Sequence, residues 1–135
     1  MIKRLINDSN FNVVIWDLKV LGVMSRGLRK NFQYVVKQVF SNVLGKFRDK
    51  KTQMIEETFN TLNDFMYCLS IEDVLDDVKE GLQDKAPNMK VNVVNWVGKF
   101  VEIKAEEKGE LPRSTLDALK QLFSIFEKLL NDGNV

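Results

Sequence analysis

The chain has no histidine among its 135 residues. Its absence removes the side chain that changes charge near neutral pH. With it go the usual general base, the Ser-His and Cys-His nucleophile pairs and most zinc sites. There is one cysteine, Cys68, so an internal disulfide is excluded and a reducing compartment fits. Cys68 falls in an apolar run and reads as core packing. No apolar stretch approaches the roughly 18 residues that cross a bilayer, and the opening Met1 to Ile6 is too short and too quickly polar for a signal peptide. Glycine-rich phosphate loops are missing. The formal net charge is only +1, so any basic footprint must be local. Carboxylates are plentiful (Glu56-Glu57, Glu72-Asp73, Asp76-Asp77, Glu106-Glu107) and read as solvated helix faces and first-turn charges. No enzyme, cofactor or metal site is expected, and no membrane contact; the chain is expected to act by binding.

What is present is a repeated turn. Leu5-Ile6-Asn7-Asp8, Phe47-Arg48-Asp49, Leu82-Gln83-Asp84 and Leu130-Asn131-Asp132 each close an apolar helical run with an aspartate. In the first three copies an apolar residue follows the Asp by five: Val13, Met54 and Met89. Asp competes for backbone hydrogen bonds and ends helices. The residues after it begin the next one, with Asn10, Thr52 and Asn88 as expected N-caps and Pro87 in a first turn. The Asp-to-Asp intervals are 41, 35 and 48 residues. Spacings of that size, with an amphipathic run on either side of each turn, mark helical pairs stacked into a solenoid.

The periodicity predicts helices over Asn12–Ser25, Phe32–Phe47, Met54–Leu69, a capping-box start at Ser70, Met89–Ala105 and a last helix from Pro112. The helix Asn12–Ser25 is apolar on several sides, with Asp17 and Lys19 as its limited polar side. It should therefore be buried between neighbours and end at Gly27. Val91 to Val97 has strand-like composition, but the repeat context favours helix. Lys104 to Glu110 reads as a loop. The expectation is one all-α domain over 1–135, an α-solenoid of HEAT-type hairpins truncated at both ends, with self-association through those ends.

At Asp8-Ser9-Asn10-Phe11-Asn12-Val13-Val14, Ser25-Arg26-Gly27-Leu28-Arg29-Lys30-Asn31-Phe32, Lys46-Phe47-Arg48-Asp49-Lys50-Lys51 and Leu82-Gln83-Asp84-Lys85-Ala86-Pro87-Asn88 the sequence resembles a TOG domain. TOG domains are the HEAT-repeat, tubulin-binding modules of the microtubule polymerase family. The resemblance implies that the turns inside each repeat line one edge and hold αβ-tubulin. On that pattern the chain runs from the second repeat to the fifth. Its turns are Asp8–Asn12, Asp49–Thr52, Asp84–Asn88 and Asp132–Val135. Trp16 and Trp96 fall inside helices and differ from the tryptophan that the family carries in its first turn. Implied tubulin-binding residues are Asn10, Phe11, Asn12, Lys50, Lys51, Lys85 and Asn88. Implied partners are αβ-tubulin and microtubule ends, in the cytoplasm and cytoskeleton at spindle poles or the centrosome.

The residues alone lead part of the way to the same place. Lys50, Lys51 and Lys85 in equivalent turns would share one edge, and a row of basic turns on a nearly neutral protein suits an acidic protein surface. A generic HEAT scaffold for another protein is the alternative reading. A nucleic-acid-binding repeat, working through Arg26, Arg29 and Lys30, stands far behind and is not expected.

Overall fold

The computed structural model describes residues 6–108 and 113–131. Among the described residues six complete α-helices follow one another: α1 (Phe11–Leu28), α2 (Gln33–Leu44), α3 (Thr52–Phe65), α4 (Leu75–Leu82), α5 (Pro87–Lys108) and α6 (Arg113–Asn131). Short 3-10 turns at Arg29–Phe32, Gly45–Arg48 and Ile71–Val74 lead into α2, out of it and into α4. No strand occurs among the described residues. The helices form two layers: α1, α3 and α5 pack in series, and α2, α4 and α6 pack in series across from them. This is the stacked-hairpin arrangement of a helical solenoid.

The core lies between the layers. Val36, Val39, Phe40, Val43 and Leu44 of α2, spaced by three and four, are all buried. Phe40 is the hub. Its ring centroid lies 6.3 Å from both Phe65 and Trp96, and Trp96 lies 6.1 Å from Phe100. Trp96 is fully buried, and its Nε1–H donates to Asn63 Oδ1 at 2.9 Å, as a buried indole requires. Cys68 is buried, its Sγ 3.6 Å from Ser25 O. It sits in the turn after α3 rather than inside a helix.

Charge segregates along the chain. Between Asp17 and Asp49 there are seven basic residues and no acidic one; from Asp49 to Asp84 there are ten acidic and three basic. The structure uses this as stitching. Lys19 Nζ reaches Glu57 at 3.8 Å, Arg26 Nη1 reaches Asp64 at 2.6 Å and Arg48 Nη2 reaches Asp84 at 2.5 Å. Each pair joins one helical pair to the next. Glu57 and Asp84 are therefore not freely solvated charges. Glu72 also has a partner, the Thr115 hydroxyl at 2.8 Å.

Several expectations change. α1 runs three residues past Ser25 and passes through Gly27. It stops at Arg29, whose φ of 50° is the one positive value among described non-glycine residues. Such a backbone costs about 1–3 kcal/mol, and the guanidinium stacks 4.8 Å from the Tyr67 ring. The charged run after Val101 continues as helix to Lys108 instead of opening a loop at Lys104. The run expected over Phe32–Phe47 divides into α2 and two 3-10 turns. The run expected to reach Leu69 ends at Phe65, in reverse turns bonded to Asn63, Asp64 and Phe65 carbonyls. Ser70 does open the next segment, with its N–H and hydroxyl both donating to Asp73 Oδ2 at 3.0 Å. Most importantly, α1 is not enclosed: Trp16 is 66 % and Val23 58 % exposed. The turn expected at Asp132–Val135 and the helix stop at Gly133 lie outside the described residues.

Trp96→Ala should destabilise by about 3–5 kcal/mol, because the ring fills the space between Phe40 and Phe100 and cannot be replaced by water. Urea unfolding measures it. Loss of under about 1 kcal/mol would contradict this packing.

Candidate functional site

Three turns share one hydrogen-bond pattern. Asp8 Oδ1 accepts the Asn10 N–H at 2.7 Å, Asp49 Oδ1 the Lys51 N–H at 2.7 Å and Asp84 Oδ1 the Ala86 N–H at 2.9 Å. Each is an Asx turn, in which a carboxylate replaces a backbone carbonyl and holds the chain two residues on. The helix then starts in the same register each time: the carbonyls of Asn10, Lys51 and Ala86 accept the N–H groups of Val14, Ile55 and Lys90. The caps therefore lie at Asn10, Lys51 and Ala86. Asn10 caps as expected, accepting from Asn12 and Val13. Thr52 and Asn88 fall inside the first turn of their helices, so they are not N-caps, and Lys51 caps without a side-chain bond. Pro87 occupies the first helical position, where its missing N–H leaves nothing unsatisfied.

Side chains tie these turns together along one edge. Lys51 Nζ lies 4.3 Å from the Phe11 ring centroid, linking the first turn to the second. Arg48 Nε and Nη2 both donate to Asp84 Oδ2, at 3.0 and 2.5 Å, linking the second to the third. Asn92 Nδ2 adds a bond to Phe47 O at 2.9 Å. Asp84 thus divides its work, one oxygen holding its own turn and the other gripping the turn before. The Arg48 hydrogen bond, then the Ala86 N–H, hold its carboxyl below the usual range, while Asp84 raises the Arg48 pKa in return.

The residues named from sequence fall on this edge in different states. Lys50 and Lys85 each follow their turn's Asp, and both are exposed. Among the described residues neither joins an ion pair. Asn12 and Asn88 are also equivalent and exposed. Lys51 is exposed but its charge leans on Phe11, which is half-buried. Asn10 is committed to capping. Lys46, near the same edge, is partly buried, and desolvation lowers its pKa against the opposing pull of Asp49. Arg48 is the residue that sequence reading underrates. Its partner lies 36 residues away, and only the repeat spacing could have suggested it.

Beside the first turn, Asn10, Asn12, Val13, Trp16, Asp17 and Val20 line an open, mostly apolar cleft. Asp17 Oδ2 is buried there with no hydrogen-bond partner among the described residues, and desolvation raises the Asp17 pKa. A pKa raised in the folded state favours the protonated form, so this residue supports folding only at acid pH and opposes it as pH rises.

No family model matches the chain. It is 26% identical over 132 residues to Centrosomal protein 224 of Dictyostelium discoideum, which covers 97% of this chain and 6% of that protein. It is 28% identical over 134 residues to Protein MOR1 of Oryza sativa subsp. japonica, covering 98% of this chain and 6% of MOR1. Phosphoprotein p93 of Schizosaccharomyces pombe is 23% identical over 132 residues, 14% of its length. The chain therefore spans a small part of these relatives. A solved chain from the structural study of microtubule plus end tracking by XMAP215, CLIP-170 and EB1 superposes with a TM-score of 0.68 at 24% identity. That likeness covers 73% of this chain and 41% of the other. The shared fold is a TOG-type HEAT-repeat solenoid.

Two predictions follow from the turn chemistry. In a double-mutant cycle, Arg48→Ala and Asp84→Ala should couple by about 0.5–1 kcal/mol, since Arg48 is half exposed. Asp84→Ala should cost more than Arg48→Ala, because it also removes the turn's own bond. The Asp84 contribution should be complete above the ordinary carboxylate range and fade as pH falls through its depressed value. Conversely, Asp17→Asn should raise thermal stability at neutral pH by less than about 1 kcal/mol. That gain should shrink as pH falls through the raised folded-state value towards the ordinary carboxylate range and be gone below it, a trend that thermal unfolding across pH would expose.

Proposed function

We propose that this chain, a HEAT-repeat solenoid similar to Centrosomal protein 224 and Protein MOR1, binds αβ-tubulin through its turn edge. The exposed Lys50 and Lys85 are the main contacts, with Asn12 and Asn88 beside them. Lys51 and Phe11 act as a coupled pair, and Asn10 serves chiefly by shaping its turn. The observation that carries this reading is the repeated Asx turn, which presents lysine at the same position twice along one edge. The names of the relatives, centrosomal and microtubule-tracking, support the choice of partner and a place on microtubules, at the spindle poles or the centrosome. Asp8, Asp49 and Asp84 are turned into the backbone by their own hydrogen bonds. The positive charges are then what a partner meets.

The mechanism is binding without chemistry on the partner. An exposed ion pair is worth about 0–1 kcal/mol, so two lysines acting alone hold a partner weakly. The edge works because its turns are fixed relative to one another by Arg48–Asp84 and Lys51–Phe11, so all contacts are made at once and little ordering cost remains. In the longer parent protein, several such modules on one chain would raise the local concentration of tubulin at a microtubule end and promote its growth.

The test is gel filtration with light scattering of the chain mixed with αβ-tubulin at low salt. Co-elution is expected, weakening as salt rises, and lost in the Lys50→Glu/Lys85→Glu double variant with unchanged helicity. Co-elution untouched by that variant would remove the edge from the account. It would leave a scaffold that meets its partner elsewhere.

A further inference from the structure

The shared register of the Asx turns allows the second and third turns to be compared position by position. One residue past the Asp stand Lys50 and Lys85, and four past it stand Gln53 and Asn88. Gln53 and Asn88 are the second residues of α3 and of α5. All four side chains are exposed. This exposure does not come from an open end of the stack, because α3 lies on α1 and α5 lies on α3. One helical turn further on, Glu57 and Asn92 are already engaged with the preceding unit, through Lys19 at 3.8 Å and Phe47 O at 2.9 Å. Asn12 holds the same place in the first turn, after Ser9 rather than a lysine.

Carboxamides that serve the fold are visibly tied to it. Asn10 caps α1, Asn63 accepts the Trp96 indole N–H, Asn92 donates to Phe47 O and Gln121 accepts from Lys79 Nζ at 2.6 Å. The side chains of Gln53 and Asn88 make no hydrogen bond among the described residues. A carboxamide holds a donor and an acceptor without charge, the same pair that a peptide main chain offers, whereas a lysine only donates. Each of the two turns therefore presents two different readers. A cation suits a carboxylate, and a carboxamide suits a main-chain N–H and C=O.

We infer that Gln53, together with Asn88, reads main-chain amide groups on the surface that the turn edge meets. This pair sets specificity, while Lys50 and Lys85 supply the charge. The inference rests on the proposal that this surface belongs to αβ-tubulin. Gln53 then joins the edge as the second turn's counterpart of Asn88. Any acidic protein attracts lysines, and such attraction speeds encounter more than it discriminates. A partner that leaves the carboxamides covered and unpaired bears their desolvation cost, so a mismatched acidic surface would be drawn to the edge and then fail on it.

Tubulin affinity measured by biolayer interferometry over a range of salt concentrations tests this. Gln53→Ala/Asn88→Ala should weaken binding about tenfold to a hundredfold, at about three- to tenfold for each hydrogen-bonding side chain. The slope of log Kd against log salt should stay as in wild type. Lys50→Ala/Lys85→Ala should instead flatten that slope. Both carboxamides are exposed and alanine is a strong helix former, so circular dichroism should show an intact fold. A carboxamide variant that binds within about twofold of wild type overturns the inference and leaves the tubulin reading standing. So does a loss accompanied by a changed slope, because the two residues would then be acting through the edge's charge. Absence of wild-type binding overturns both readings. Loss in the carboxamide variant with none in the lysine variant would uphold the inference and remove the lysines from the contact.

Discussion

A single short hydrogen bond, from an aspartate carboxylate to the N–H two residues later, fixes what the rest of this molecule depends on. It ends one helix, turns the chain and starts the next helix in a set register. Because it recurs at Asp8, Asp49 and Asp84, α1, α3 and α5 begin in phase. Equivalent side chains then meet equivalent neighbours. The ladder of inter-unit contacts and the alignment of the turn edge are consequences of that phase. The residue following each Asp points to solvent, and in two of three turns it is lysine.

Charge plays two separate parts. Within the stack, the basic stretch before Asp49 is matched to the acidic stretch after it, and each ion pair crosses from one unit to the next. These charges are used up in holding neighbours. At the edge, Lys50 and Lys85 are outside that pairing and stay available to a partner. A net charge of +1 conceals this division, since it averages paired and unpaired charge.

The fold was legible in sequence because its signals are local. Aspartates at intervals of 41 and 35 residues, apolar residues at helical spacing and a proline suited to a first turn all act within a few residues. Even the strand-like Val91–Val97 yielded to repeat context. The candidate edge was legible to the extent that it follows from turn equivalence, which puts Lys50 and Lys85 at the same exposed turn position. What could not be read came from tertiary contact. Gly27 looked like a helix stop, yet Arg29 takes the left-handed turn with Tyr67, 38 residues on, beneath its guanidinium. The apolar α1 looked enclosed, yet hydrophobicity alone does not say what lies on each face. Thr52 and Asn88 looked like caps, yet the Asx turn moved each cap one or two residues earlier. Arg48 looked like one more edge charge, and its link to Asp84 needed the stack itself.

The central claim is that the turn edge meets tubulin. Hydrogen-exchange mass spectrometry of the chain with and without αβ-tubulin tests it most directly. The account predicts slowed exchange in residues 8–14, 49–55 and 84–90, whose backbone amides lie at the three turns, with little change around 26–37 on the opposite edge. Slowed exchange confined to that opposite edge, with the three turns unchanged, would contradict it.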